Sequence, residues 1–163
     1  MTPDEARSNT EKHIARVSHF LSEMISLLAK RALCHDASKL ESPEEKGFAK
    51  HTENLRGLTY GSDEYRAELA AMQEFLDHHY EHNRHHPEFH SEGVSGMTLV
   101  DLVETFCDWR AAVERHADGD IYKSIEHNAK RFKLDPQVVA ILKNTAKLFD
   151  NPIGVAEEEE TPG

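Results

Sequence analysis

The sequence predicts an all-α chain folded as an irregular bundle of about five to seven helices. Three observations predict it. Apolar residues recur three and four apart in one segment after another, which is the spacing of a helix face. The segments open on capping residues and close at glycine, proline or Asp/Gly breaks. No segment alternates apolar and polar residues with the quality a strand requires.

Residues 1–8 read as a loose start. Asn9 or Thr10 caps a helix running to about Leu33, with Ile14, Val17, Phe20, Leu21, Met24, Leu27 and Leu28 at helical spacing. His13 lies four residues before Val17 and belongs to that stripe, expected to be buried. His19 falls near Arg16 and Glu23, on a solvated side. Ser42-Pro43-Glu44-Glu45 opens a second helix, with Pro43 in the first turn and Glu45 at the capping-box position. It ends near Gly57. Ser62 or Gly61 begins a third helix, with Leu69, Met72, Phe75 and Leu76 facing inward, and it leads into the histidine-rich run from Asp77 to Glu88. Pro87 disfavours helix at His86, so His85 and His86 fall at the helix end or just past it. A Gly/Ser turn from Gly93 to Gly96 precedes a helix from Thr98 to about Ala117. Asp118-Gly119-Asp120 breaks that helix. A shorter one follows with Ile121, Ile125, Ala129 and Phe132, and Asp135-Pro136 opens a last helix through about Phe149. Residues 1–149 thus read as one domain. Residues 150–163, with Glu157 to Glu160, read as an acidic, disordered tail.

The chain has 163 residues and a formal net charge of −11. A nucleic-acid backbone repels such a surface, so nonspecific DNA or RNA binding is not expected. No apolar run approaches membrane-span length and no signal peptide opens the chain, so the expected location is the cytoplasm. A homo-oligomer is compatible with the sequence. The two cysteines, Cys34 and Cys107, make no disulfide framework and read as small buried packing residues. The unusual number is 12 histidines, spread along the chain among carboxylates, which fits a folded metal site better than a storage tract.

The chemistry-bearing residues come in the order His13, His35-Asp36, the histidine cluster, Asp108. Lys39 follows Asp36 by three residues, and six histidines lie in the stretch 78–90. At these residues the chain resembles the HD-domain superfamily of metal-dependent phosphohydrolases. His35-Asp36-Ala37-Ser38-Lys39 is similar to the HD-x-[GS]-K signature of its cyclic-dinucleotide phosphodiesterase branch, and His85-His86 to that branch's paired histidines. More closely the chain resembles an uncharacterised HD-like family of phages and bacteria. Its motifs match His13–Val17, His35–Lys39, His78–His86 and Glu104-Thr105-Phe106-Cys107-Asp108-Trp109.

The resemblance implies an HD-like helical domain holding one or two divalent transition metals, from Mn, Fe, Co, Ni or Zn, the ions suited to imidazole and carboxylate ligands. A first ion would take His13, His35, Asp36 and Asp108. Asp36 would bridge to a second, with His79 and His85 or His86 as its other ligands. Asp36 and Lys39 are the expected catalytic residues. Lys39 and Arg84 are candidates for substrate phosphate, although ion pairing is the commoner role of a surface arginine. Glu104, one turn before Asp108, is a candidate to orient a ligand histidine. Register within 78–90 stays open. His79 and His86 share one helix face, and His78, His82 and His85 the neighbouring one. The helix of Asp108 also has two readings. Leu99, Phe106 and Val113 form its apolar stripe, and Asp108 points nearly opposite, on a solvated acidic face or on the second side of a helix buried twice.

The expected activity is hydrolysis of a nucleotide or related small phosphoester with a metal-activated water. The alternatives are an HD-like di-iron oxygenase and a noncatalytic, metal-stabilised binding module. All of this rests on His13, His35, Asp36 and Asp108 converging on one ion.

Overall fold

The computed structural model describes residues 1–56, 58, 62–115 and 119–150. Among them the chain is all-α, with seven α-helices, three 3₁₀ turns and no strand. The helices are α1 (Pro3–Cys34), α2 (Glu44–Arg56), α3 (Asp63–Ala71), α4 (Gln73–His82), α5 (Leu99–Val113), α6 (Ile121–Phe132) and α7 (Pro136–Asp150). The 3₁₀ turns are Ala37–Leu40, Pro87–Phe89 and Gly93–Gly96. No helix among the described residues is long and apolar enough to cross a membrane. The expected helix ends at Gly57 and Ala117, the start at Gly61, Asp118 of the break, and the tail beyond Asp150 lie outside the described residues. Contacts divide the chain into two compact units, Met1–Glu104 and Thr105–Gly163, with the boundary inside α5.

In the first unit, α1 begins earlier than the sequence reading placed it. Thr2 Oγ1 accepts from the Glu5 backbone N–H and the Glu5 carboxylate accepts from that of Thr2, at 3.2 and 2.7 Å. This capping box, with Pro3 in the first turn and Asp4 and Glu5 at the positive end of the helix dipole, starts the helix at once. Residues 3–8 are therefore helical, not a loose lead. No residue of α1 is buried. The stripe from Ile14 to Leu28, expected to face a core, is mostly in solvent.

The single helix expected from Ser62 is two. Ser62 does cap α3, its Oγ accepting from the Tyr65 N–H. At Met72 the backbone N–H lies 3.1 Å from the carbonyls of both Glu68 and Leu69, so the ladder tightens there and α4 starts afresh. The α2 backbone approaches α4 closely at Gly47, where a Cβ would lie 2.3 Å from the Phe75 ring. That approach sets the first turn of α2 beside the histidines of α4.

The first unit has a polar interior. Its buried apolar side chains among the described residues are Met72, Pro87 and Val100, whereas Glu44, His51, His79, Asn83, His85, Asp101 and Glu104 are all buried. The first turns of α5 follow this rule. The carboxylates of Asp101 and Glu104 are turned inward while Leu99 is 70% exposed, the reverse of the expected apolar stripe at that end. Arg31 of α1 explains the reversal, since it donates to both carboxylates.

The second unit is conventional by comparison. Phe106, Ile121, Ile125, Leu142 and Ala146 are its buried apolar residues. Asp120 Oδ1 caps α6 by accepting from the Tyr122 and Lys123 N–H groups, and Asp135 Oδ1 caps α7 through Gln137. Trp109 and Phe132 stack with their rings nearly parallel and centroids 6.4 Å apart. Cys34 and Cys107 are both exposed, which corrects the expectation that they are buried packing residues.

Candidate metal centre

Three pieces of the first unit build the site. Asp36 follows α1 in the left-handed region, at φ 54° and ψ 18°, and opens the Ala37–Leu40 turn. His79 is on the second turn of α4. His85 and His86 lie beyond Asn83, which ends α4 in an extended conformation. Both histidines fall past the helix end, as Pro87 implies, and the chain turns back on itself there, which brings them to His79.

One oxygen or nitrogen from each of Asp36, His79, His85 and His86 lies within 4.8 Å of the others. Asp36 Oδ1 is 3.3 Å from His79 Nε2 and 3.5 Å from His85 Nε2. His79 Nε2 is 2.9 Å from His86 Nε2. His79 and His85 are almost wholly buried. Asp36 Oδ1 is buried too and has no hydrogen-bond partner.

Carboxylates fix which ring nitrogens carry protons. An ionised carboxylate only accepts, so His79 donates from Nδ1 to Glu44 Oε2 at 2.8 Å. His78 donates from Nδ1 to the other oxygen of Glu44 at 2.7 Å. His35 donates from Nδ1 to Glu104 Oε1 at 3.0 Å, and His85 Nδ1 lies 3.3 Å from the same oxygen. With Nδ1 protonated, Nε2 of a neutral ring presents a lone pair. Asn83 holds the scaffold together, donating to the Ser38 hydroxyl and the His79 carbonyl.

Burial alone would raise the pKa of each carboxyl, and in each case its partners outweigh it. The Lys39 ammonium, donating to Oδ2, holds Asp36 well below the usual carboxylate range. The imidazoles of His35 and His85, with the Arg31 charge, bring Glu104 down to about 2. His78, Ser38 and His79 lower Glu44. The site thus combines ionised carboxylates with convergent imidazole lone pairs.

The residues fit a divalent transition ion. Ligands about 2.0–2.1 Å from one ion are about 3.0 Å apart in octahedral and about 3.4 Å apart in tetrahedral geometry. The separations of 2.9, 3.3 and 3.5 Å fall around those values. A carboxylate oxygen facing imidazole lone pairs at such distances is repulsive unless a cation lies among them.

The other expected site residues are placed as follows. Lys39 Nζ is 2.7 Å from Asp36 Oδ2 and partly exposed, beside the Phe48 ring. His35 Nε2 is 3.6 Å from Asp36 Oδ2, and its ring lies against that of His85. Asp108 is half-buried, one turn of α5 beyond Glu104 and in the second unit. His13 does not join the site. It is exposed on α1, and 22 residues of unbroken helix put it about 33 Å along the axis from His35. His13 is therefore removed from the four-residue set expected for a first ion, and Asp36 meets the histidines expected for the second. Arg84 is corrected as well. Its guanidinium is paired with Asp101 at 3.3 Å and stacks on Phe89, so it is committed away from a substrate phosphate.

Sequence reasoning missed Glu44, read only as part of a helix start, and the pairing of Arg31 with Asp101. The one signal for Glu44 is a carboxylate in the first turn of a helix, which many solvated helices share.

Residues 2–148 match a family described as "Family of unknown function (DUF5662)". No curated protein and no solved structure matches the chain.

Proposed function

The chain belongs to the DUF5662 family, whose function is unknown, and from its own residues we propose a metal-dependent phosphohydrolase acting on a nucleotide or related small phosphoester. The four-residue convergence expected from the sequence fails at His13, and the reading rests instead on the buried Asp36 Oδ1, without a hydrogen bond and facing Nε2 atoms of His79 and His85. Asp36, His79, His85 and His86 would hold a divalent ion of Mn, Fe, Co, Ni or Zn. Such an ion supplies Lewis acidity toward a phosphoryl oxygen and lowers the pKa of a coordinated water. The protein's own residues do the rest. Glu44 and Glu104 keep protons on Nδ1 of their histidines, which aims Nε2 at the centre. Lys39, beside Asp36 and reachable from solvent, offers an ammonium charge to a substrate phosphate oxygen. The sequence resemblance adds Asp108 to the candidate ligands. The reaction class comes from the similarity of His35-Asp36-x-x-Lys39 to HD-domain phosphohydrolases, which is an analogy and not geometry.

The polar interior of the first unit favours a second reading, a noncatalytic module whose fold the metal stabilises. One set of measurements separates the two. Elemental analysis of the purified chain is expected to give at least one transition ion per molecule. A nucleotide and phosphoester panel is expected to release phosphate, and Asp36→Asn to abolish that release. Bound metal and thermal stabilisation without turnover would establish the module instead. Oxygen consumption with bound iron would point to an oxygenase. A chain that binds no transition metal would remove every one of these readings.

A further inference from the structure

The longest element, α1, has 32 residues and buries none of them. Yet Ile14, Val17, Leu21, Met24 and Leu28 alternate three and four apart, the heptad spacing of a helix seam. Phe20, Ile25 and Leu27 widen the stripe. Leu21 is 59% exposed and Ile25 67%. Single exposed leucines are ordinary, but a contiguous apolar stripe along several turns marks an interaction surface. The stripe is closed at one end by Arg31, the next seam position, which is engaged with Asp101 and Glu104 of its own unit.

We propose that this face pairs with the same face of a second copy of the chain, antiparallel, about a two-fold axis near residue 19. The occupant follows from three properties of the stripe. Its period is that of a helix packing on another helix. Its charges are self-complementary. Arg16 and Glu23 stand seven residues apart on the Phe20 edge of the stripe, with the Arg16 guanidinium over the Phe20 ring. An antiparallel register that sets Ile14 against Met24, and Val17 against Leu21, of the second copy brings Arg16 beside Glu23 of that copy, twice by symmetry. A parallel pair offers neither residue an opposite charge across the seam and crowds the two Arg31 ends together. Its area is sufficient. With every exposed part of the stripe covered, the area is at most roughly 600 Å² per copy, or roughly 1,200 Å² in the pair, the lower bound of stable interfaces.

The test is the mass of the full-length chain by sedimentation velocity, and it does not depend on the metal. The expected mass is twice the 18.5 kDa of one chain. Leu21→Glu is expected to raise the dissociation constant at least about 100-fold while far-UV circular dichroism keeps its helical signal. Arg16→Glu, which leaves the apolar seam intact, is expected to weaken pairing about tenfold, and Arg16→Glu with Glu23→Arg to restore it. The proposal is overturned by a monomer at the highest concentration reached, by a dimer that Leu21→Glu leaves intact, or by a charge swap that fails to restore pairing.

Discussion

Asp36 is held at positive φ, a region asparagine and aspartate tolerate better than most residues, at a cost of order 1 kcal/mol. The same turn that imposes this conformation puts Oδ1 among the histidines and Oδ2 on Lys39. Glu44 acts through His79, since its carboxylate decides which ring nitrogen has the lone pair. Glu44→Gln keeps the shape but lets the amide donate, so metal affinity is expected to fall about 10- to 100-fold by chelator competition. His13→Ala, in parallel, is expected to leave affinity unchanged. Asp101 carries one share of the acid dependence, beside Asp36 and Glu104. Its burial opposes ionisation, but Thr98 and Arg84 outweigh that and lower its pKa from 3.8 to about 2. A carboxyl whose folded pKa is depressed stabilises the fold above its unfolded pKa and loses that contribution as pH falls through the folded one. About 2 kcal/mol should therefore disappear between about pH 4 and pH 2. Denaturant unfolding across that range, compared with Asp101→Asn, measures it, and equal acid limbs in both proteins would refute the assignment.

At the scale of elements, the site depends on how helices meet and end. Gly47 lets α2 approach α4 until a Cβ would overlap the Phe75 ring. Gly47→Ala must push the ring or the helix aside, with an expected loss of about 1–3 kcal/mol, read as a lowered thermal midpoint. Because Glu44 is three residues away on α2, the variant is also expected to bind metal more weakly. α4 contributes His79 from its last turns, whereas His85 and His86 reach the same centre only because the helix stops at His82. A helix continued through residue 86 would bring only His86 back to the face of His79. The polar face of α5 is inward for a similar reason, with Arg31, His35 and His85 as the partners of its carboxylates.

For the whole molecule, the two units contrast in how they are stabilised. The second has an apolar core in Phe106, Ile121, Ile125, Leu142 and Ala146, while the first is built around imidazoles and carboxylates. Metal removal with a chelator is therefore expected to lower the thermal midpoint, and readdition at a hundredfold excess over the dissociation constant to return about 2.7 kcal/mol. Scanning calorimetry with and without the ion checks this, and an unchanged transition would contradict a structural cation. Much of this architecture was legible in the sequence. Helix periodicity, the caps at Ser62 and Asp135 and a helix end before Pro87 arise from interactions within a few residues, which local pattern reports, although the helix stops at His82 and not at His85–His86. The residue types of the site were legible too, because only certain side chains ligate cations. Which of them meet was not. The resemblance placed His13 with His35 and Asp36, but the unbroken α1 between them keeps it a helix-length away, a separation that the helix expected to run to Leu33 already implied. Glu44 and Arg31 entered only with the packing. A step of one residue rotates a side chain by about 100° around a helix, so convergence depends on where each helix stops and how the next one crosses it. Local pattern sets the helices and their chemistry, and only the tertiary arrangement selects the few side chains that share a centre.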